Sequence, residues 1–391
     1  MHALLLALLL QGRVDSAVRM VMQTQHIAGL SVGIARDGHT LYVQGYGDRD
    51  VLRHAPAQAG TVYRIASLTK MFTARAVTTL AQHRKLSLDL PAARYLPGFP
   101  WGNRVTVAQL LAQRSGIPSY TDDPQLNPYA WHDPWQLVRV VSREPLLFPP
   151  GTQYAYSNTN YVLLGMIVQH VTHAVFEDYV NAHVARALDL PHTRYGDQPG
   201  EALGYAWDGQ QYVRALPSHR AYAFSAAAMT STVPDMLRYL DTTRAPYYGL
   251  AQSEQFGNSV WYASGNVDGY SAFALIVPQT LSEVVILCNA DKIDLTPLAL
   301  DILAALAPAP QDNAFGPARN EDPQITAQMR RKAAALLAPL QISLLEYLNT
   351  ESNGGTTAVT YRVTLSDGTR LLLHAPVQAN GTLGDLSITP L

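Results

Sequence analysis

Tyr63-Arg64-Ile65-Ala66-Ser67-Leu68-Thr69-Lys70-Met71-Phe72-Thr73-Ala74 is the stretch on which the reading of this 391-residue chain turns. Ser67 and Lys70 stand three apart at the predicted start of a helix running to about residue 83, with Met71, Ala74, Val77 and Leu80 at its apolar positions. That spacing puts the hydroxyl and the amine on one face of the first turn. The helix start directs free N–H groups and the positive dipole end toward negative charge building near Ser67. A lysine in so apolar a setting can lose its proton and help deprotonate the serine. Alone, S-x-x-K also fits a serine helix start followed by a surface lysine.

A second segment raises the specificity. Phe148-Pro149-Pro150-Gly151-Thr152-Gln153-Tyr154-Ala155-Tyr156-Ser157-Asn158 carries Y-x-N, a phenol and an amide two residues apart that point the same way from an extended loop. Tyr156 can relay a proton between a serine and a leaving group, and Asn158 can grip substrate or orient the lysine. The plain alternative is an aromatic packing loop, since the chain holds 21 tyrosines.

Outward from these motifs, periodicity predicts a helix over 14–25 and strands over 29–35 and 40–44, joined by Arg36-Asp37-Gly38. Gly45-Tyr46-Gly47 reads as a turn between strands rather than a nucleotide loop. Residues 86–150, rich in Pro, Gly and aromatics, predict a mostly helical inserted lobe with short helices such as 107–111. Another helix follows Asn158, with Tyr161, Leu164, Ile167 and Val171 on one face. Apolar runs over 272–277 and 283–289 predict antiparallel strands, and a helix over 298–307 follows. Strands at both ends with helices between imply one sheet assembled from distant segments. The prolines at 308, 310, 317 and 323 mark a linker over 308–323. Beyond it, residues 324–391 predict a small α+β domain, with a helix over 325–347 kinked at Pro339 and a hairpin of strands 358–365 and 370–374.

Composition narrows the classes of function. Apolar residues make up 48% of the chain and charged ones 15%, which allows a large core. A net charge of −2, with both signs scattered, lacks the basic stripe that nucleic-acid binding needs. The single cysteine, Cys288, lies in an apolar run and reads as a buried small hydrophobe. The apolar residues 3–10 are too few to span a bilayer. Residues 1–12 fit a secretory signal segment, although no Lys or Arg precedes the run and no A-x-A follows it. The other reading is the apolar start of the helix that continues through Val14. Export implies a periplasmic or secreted protein, with the cytoplasm left open. There is no G-x-S-x-G and no H-E-x-x-H. His170 and His173 read as residues at a helix end rather than metal ligands, and Asn380-Gly381-Thr382 as an ordinary loop.

With both motifs in view, the chain resembles the serine β-lactamase and penicillin-binding-protein superfamily, in the branch of class C β-lactamases, DD-peptidases and related esterases (peptidase S12-like). The resemblance runs over roughly 14–307. It includes Leu110-Leu111-Ala112-Gln113-Arg114-Ser115-Gly116-Ile117-Pro118, Leu188-Asp189-Leu190-Pro191-His192-Thr193 and Ser231-Thr232-Val233-Pro234-Asp235-Met236. The family's third motif, K-T-G or H-x-G, matches Ala263-Ser264-Gly265-Asn266. Gly265 fits because a side chain there would keep substrate from lying along the strand. By resemblance, the N–H groups of Ser67 and Asn266 form an oxyanion hole, and Asn158, Ser264 and Gly265 line the substrate. The departure is Ala263, where a Lys or His is expected. No Lys or Arg lies between Arg244 and Lys292, and Arg114 or Arg220 would have to supply any missing cation.

These readings imply an α/β (α+β) fold: an antiparallel sheet flanked by helices, an all-helical lobe beside it, and a catalytic domain over 13–307. The expected chemistry is an acyl-enzyme serine hydrolase with Ser67, Lys70 and Tyr156 catalytic. It needs no cofactor or metal, and it acts on a small ester, amide or peptide. Without the cation at 263, carboxylate-bearing substrates should lose ground to neutral esters and amides. The runner-up is a weak or inactive relative that binds a ligand or serves as a scaffold. Sequence leaves the oligomeric state open.

Overall fold

A computed structural model describes residues 2–255, 258–306, 323–336, 342–353, 356–365, 370–378, 381–384 and 386–390. The first strands are β1 (Gly29–Arg36), β2 (His39–Asp50), β3 (Ala55–Pro56) and β4 (Tyr63–Arg64). The short β5 (Arg194–Tyr195), β6 (Tyr205–Trp207), β7 (Tyr212–Arg214) and β8 (Met229–Ser231) follow. Next come β9 (Ala251–Gln255), β10 (Asn258–Val267), β11 (Tyr270–Val277) and β12 (Ser282–Cys288). One sheet has the order β3-β2-β1-β12-β11-β10-β9, so the chain's first strand lies beside one from near residue 285. The β1–β12 pair is antiparallel, with Leu30 opposite Cys288 and Ile34 opposite Val284. Every residue of β11 and β12 is buried, as continuous apolar runs covered on both faces require. Cys288 is fully buried.

The helices of this part are α1 (His2–Thr24), α2 (Thr69–Gln82), α3 (Val107–Leu111), α4 (Pro134–Val141), α5 (Asn158–Thr172), α6 (Phe176–Val180), α7 (Arg220–Ala227), α8 (Val233–Asp241) and α9 (Thr296–Leu306). α1 runs unbroken through the apolar N-terminal stretch and buries Val14, Val18 and Val21 at helical spacing. Capping boxes start two lobe helices: Thr106 with Gln109 for α3, and Asp133 with Gln136 for α4. α2 and α5 are the buried spine, carrying Phe72, Val77, Tyr161 and Leu164 at zero exposure in one apolar cluster. Gly165 lets α7 come close, because a Cβ there would stand 2.1 Å from Ser225 Oγ. α7 breaks helical geometry at Phe224 (φ 38°, ψ −136°), a strained conformation for a non-glycine residue.

Contacts divide the chain into two compact units. The first holds residues 1–251, 261–276 and 280–302, and the second holds 252–260, 277–279 and 303–391. The second unit contains α10 (Pro323–Leu336) and a sheet of β13 (Ile342–Asn353), β14 (Thr356–Leu365), β15 (Arg370–Val377) and β16 (Ser387–Pro390) in that order. Ile325, Met329 and Ala333, four apart on α10, share a core with Tyr361, Val363 and Leu373. Here the expected helix over 325–347 is corrected. It stops at Leu336, and 342–353 is a strand paired with β14 along its length, from Ile342–Leu365 to Asn353–Thr356. Leu-Leu-Glu-Tyr-Leu suits either state, and pairing with β14 decides it. Pro339, residues 308–322 of the linker expected over 308–323 and the 366–369 turn lie outside the described residues, and Pro323 opens α10 instead.

A second correction concerns Gly45-Tyr46-Gly47, which stays inside β2 instead of ending a strand. Cβ atoms at Gly45 and Gly47 would press to 2.5 Å from Ala57 O and 2.3 Å from Ala28 O. The glycines admit neighbouring backbone; they do not make a turn.

Candidate active site

Ser67 lies in a tight 3-10 turn, Ala66–Leu68, immediately before α2; the expected helix thus begins at Thr69 rather than at the serine. Ala66 takes φ 46°, in the left-handed region that alanine disfavours, so the backbone is strained one residue before Ser67. One turn into the helix, Lys70 is 2% exposed. Its Nζ donates to Ser67 Oγ at 3.0 Å, to Asn158 Oδ1 at 2.8 Å and to the Ala226 carbonyl at 3.0 Å. The break at Phe224 precedes two carbonyls that meet α2: Ser225 O accepts from Thr73 Oγ1 at 2.6 Å, and Ala226 O accepts from Lys70. Burial lowers the Lys70 pKa to about 7.

Tyr156 brings its hydroxyl 2.7 Å from Ser67 Oγ and donates to Asn158 Oδ1 at 3.3 Å. Its side chain is 48% exposed while the hydroxyl end enters this cluster. Desolvation pushes its pKa up to about 12, opposed by the hydrogen bond with Ser67. The phenol is therefore neutral at ordinary pH, and Lys70 is the group poised to exchange a proton. Asn158 is the first residue of α5 rather than a loop residue; its Nδ2 donates to Thr121 Oγ1 at 3.1 Å, which leaves Oδ1 facing Lys70.

The loop carrying Tyr156 is tied to the segment that follows α3. Gln113 Oε1 accepts from Ser157 N and Asn160 Nδ2, and Ala155 N donates to Gln113 O. Ser115 Oγ donates to Asn160 Oδ1 at 2.6 Å, and all three polar side chains are buried. These positioning residues escaped the motif reading. Their signal was the Leu110–Pro118 resemblance, which gave a likeness without a role.

Along β10, Ala263 and Gly265 are buried while Ser264 and Asn266 are exposed, the two-residue alternation of a strand. Gly265 is required by the packing of the serine turn as well. A Cβ there would stand 2.7 Å from Ser67 N and 2.9 Å from Ile65 O, so it would strike the serine turn itself. Ala263 is 9% exposed and belongs to the main apolar cluster. Asn266 Oδ1 accepts from Ser271 Oγ, its cross-strand partner.

Neither candidate arginine replaces the cation missing at 263. Arg114 donates to the carbonyls of Gly151 and Thr152. Arg220 closes a four-membered network with Arg64, Asp197 and Glu201, the Arg64–Glu201 and Arg220–Glu201 contacts being 3.0 and 3.2 Å. A cavity of about 290 Å³ opens at Ser67, lined also by Asn158, Asn266, Tyr120, Tyr222 and Asp268. Its lining holds no Lys, Arg or His. Among the described residues no cluster of metal-ligating side chains occurs, and no helix is long and apolar enough to cross a membrane. His170 sits in the last turn of α5 and His173 caps it.

A helical lobe and an antiparallel sheet that meet at a serine–lysine–tyrosine cluster define an architecture shared with known proteins. The Beta-lactamase family model matches residues 14–307, and the chain belongs to that family. Protein flp of Staphylococcus aureus (strain MW2) is 29% identical over 318 residues, covering 72% of this chain; the chain spans 64% of that relative's length. The octameric penicillin-binding protein homologue from Pyrococcus abyssi superposes with a TM-score of 0.67 at 21% identity, over 97% of this chain and 98% of that one. The D-amino acid amidase from Ochrobactrum anthropi SV3 gives 0.65 at 22% identity, over 77% and 98%.

Proposed function

We propose that the protein is a serine hydrolase that works through an acyl-enzyme. The observation that carries this reading is the convergence of Ser67 Oγ, Lys70 Nζ and Tyr156 OH within 3.0 Å contacts. In the first step Ser67 Oγ bonds to a substrate carbonyl carbon while its proton passes to neutral Lys70, directly or through Tyr156. The carbonyl electron pair moves onto oxygen, where the Ser67 and Asn266 N–H groups are assigned the stabilising role. Tyr156 gives the leaving group a proton and regains one from Lys70 as the carbon–leaving-group bond breaks. Water then attacks the acyl-serine with the same groups acting as base, releasing an acid and restoring Ser67.

Ala263 and the absence of cations from the cavity lining argue against anchoring a substrate carboxylate, as β-lactams and D-Ala-D-Ala peptides would require. Esters and amides uncharged at that end fit better. The family's amidase neighbour supports acyl transfer from an amide as one such reaction. The same alanine favours a second reading, a ligand binder with residual chemistry. A fluorophosphonate probe and a p-nitrophenyl ester series, run on wild type and Ser67→Ala, separate the two. Stoichiometric labelling and turnover, both lost in Ser67→Ala, are expected. No labelling of wild type would leave the binder. Nitrocefin turned over faster than short esters would overturn the substrate argument.

A further inference from the structure

Asp268 lies in the hairpin between β10 and β11, just before Gly269 with its positive φ of 82°. It is the first of the two turn residues between Val267 and its cross-strand partner Tyr270, two positions past Asn266. It lines the cavity that opens at Ser67, together with Tyr120, Tyr129 and Tyr222. Its charge raises the Tyr129 phenol and adds to burial in raising that of Tyr222, so the carboxylate lies near both hydroxyls. Arg64 and Arg220 are committed to Asp197 and Glu201, and Lys292, whose charge also reaches Tyr129, pairs with Asp291 at 3.6 Å. Asp268 has no Lys, Arg or His ion-pair partner among the described residues.

We propose that Asp268, with the tyrosine rings beside it, recognises a substrate ammonium adjacent to the scissile carbonyl, so that the site takes amino-acid or peptide esters and amides bearing a free α-amine. This rests on the hydrolase reading above and specifies its substrate class. Three features converge on it. The α-amine is two bonds from the carbonyl carbon that Ser67 attacks, and Asp268 lines the same cavity as Ser67 and Asn266. A carboxylate in a pocket without cations attracts a positive group and repels a carboxylate. The tyrosines that line the same cavity offer hydroxyl acceptors and aromatic surface to such a group.

The test compares D- and L-alanine p-nitroanilides with their N-acetyl counterparts on wild type, Asp268→Asn and Asp268→Glu, all checked for folding by circular dichroism. Wild type is expected to favour the free amine of at least one configuration about tenfold or more in kcat/KM. In Asp268→Asn that ratio should collapse toward one, and Asp268→Glu should restore part of it. Equal or better turnover of the N-acetylated compounds, or a ratio unmoved in Asp268→Asn, would overturn the assignment. Hydrolysis of p-nitrophenyl acetate by wild type, lost in Ser67→Ala, reports on the hydrolase reading separately. Should chemistry be absent altogether, calorimetric binding of alanine amide and N-acetylalanine amide decides the subsite, and equal affinities would reject it.

Discussion

At Lys70, burial and hydrogen bonding pull against each other. Removing the ammonium from water favours the neutral amine and brings the pKa to about 7, while three acceptors hold the protonated form in place. The base in the proposed mechanism is the neutral amine, so kcat/KM should rise tenfold per pH unit below about 7 and level off above it. Lys70→Met should lower the plateau by about 10²–10⁴ and erase that titration, as a stopped-flow pH series on an activated ester would reveal. The sequence made this residue legible, with Ser67, Tyr156 and Asn158, through the spacing of two motifs taken together. It gave no hint of Ala226, whose contribution is a backbone carbonyl available to any residue type. Ala66 was equally silent, since alanine is a poor indicator of a positive φ.

At the scale of elements, periodicity located α2, α5, β1, β11 and β12 because each buries a full face or both faces. It failed where pairing rather than pattern decides, as in β13. The close approaches at Gly45, Gly47, Gly165 and Gly265 are written in glycine. Gly265→Ala should spare overall folding but push β10 away from the serine turn, lowering kcat by an estimated 10²-fold; a normal circular dichroism spectrum with normal activity would contradict the packing argument. The start of β12 offers a test of stability. Glu283 is 4% exposed and its Oε2 lacks a hydrogen-bond partner, and burial with the charge of Asp241 raises its pKa from 4.5 to about 8. Between those values the unfolded chain sheds a proton that the folded chain keeps, so this carboxyl costs stability as pH climbs from about 4.5 to about 8. Glu283→Gln should therefore raise Tm at pH 8–9 and leave it nearly unchanged at pH 4, read by differential scanning calorimetry.

For the whole molecule, the chain's composition announced a large core and a compositional break after residue 307, but not how contacts divide it. Residues 252–260 and 277–279 group with the C-terminal part, a consequence of three-dimensional proximity that linear composition does not encode. Every group assigned to the chemistry lies within the first unit: Ser67, Lys70, Tyr156, Asn158, Asn266 and Asp268. A chain ending at residue 307 should consequently keep fluorophosphonate labelling at Ser67, with a lowered Tm where the missing residues supported 252–260. Loss of labelling in a folded truncation would assign the C-terminal unit a part in the chemistry.

The break in α7 at Phe224 gives the protonation of Lys70 a mechanical side. A single ammonium ties together the turn before α2, the first residue of α5 and the carbonyl that follows the break, so each proton lost from it loosens a three-way bond. Acid should stiffen this junction and mild alkali relax it, and amide exchange over 223–228, corrected for its intrinsic pH dependence, should quicken as pH passes through about 7. Readiness for chemistry and freedom of the cleft wall would then arrive with the same deprotonation.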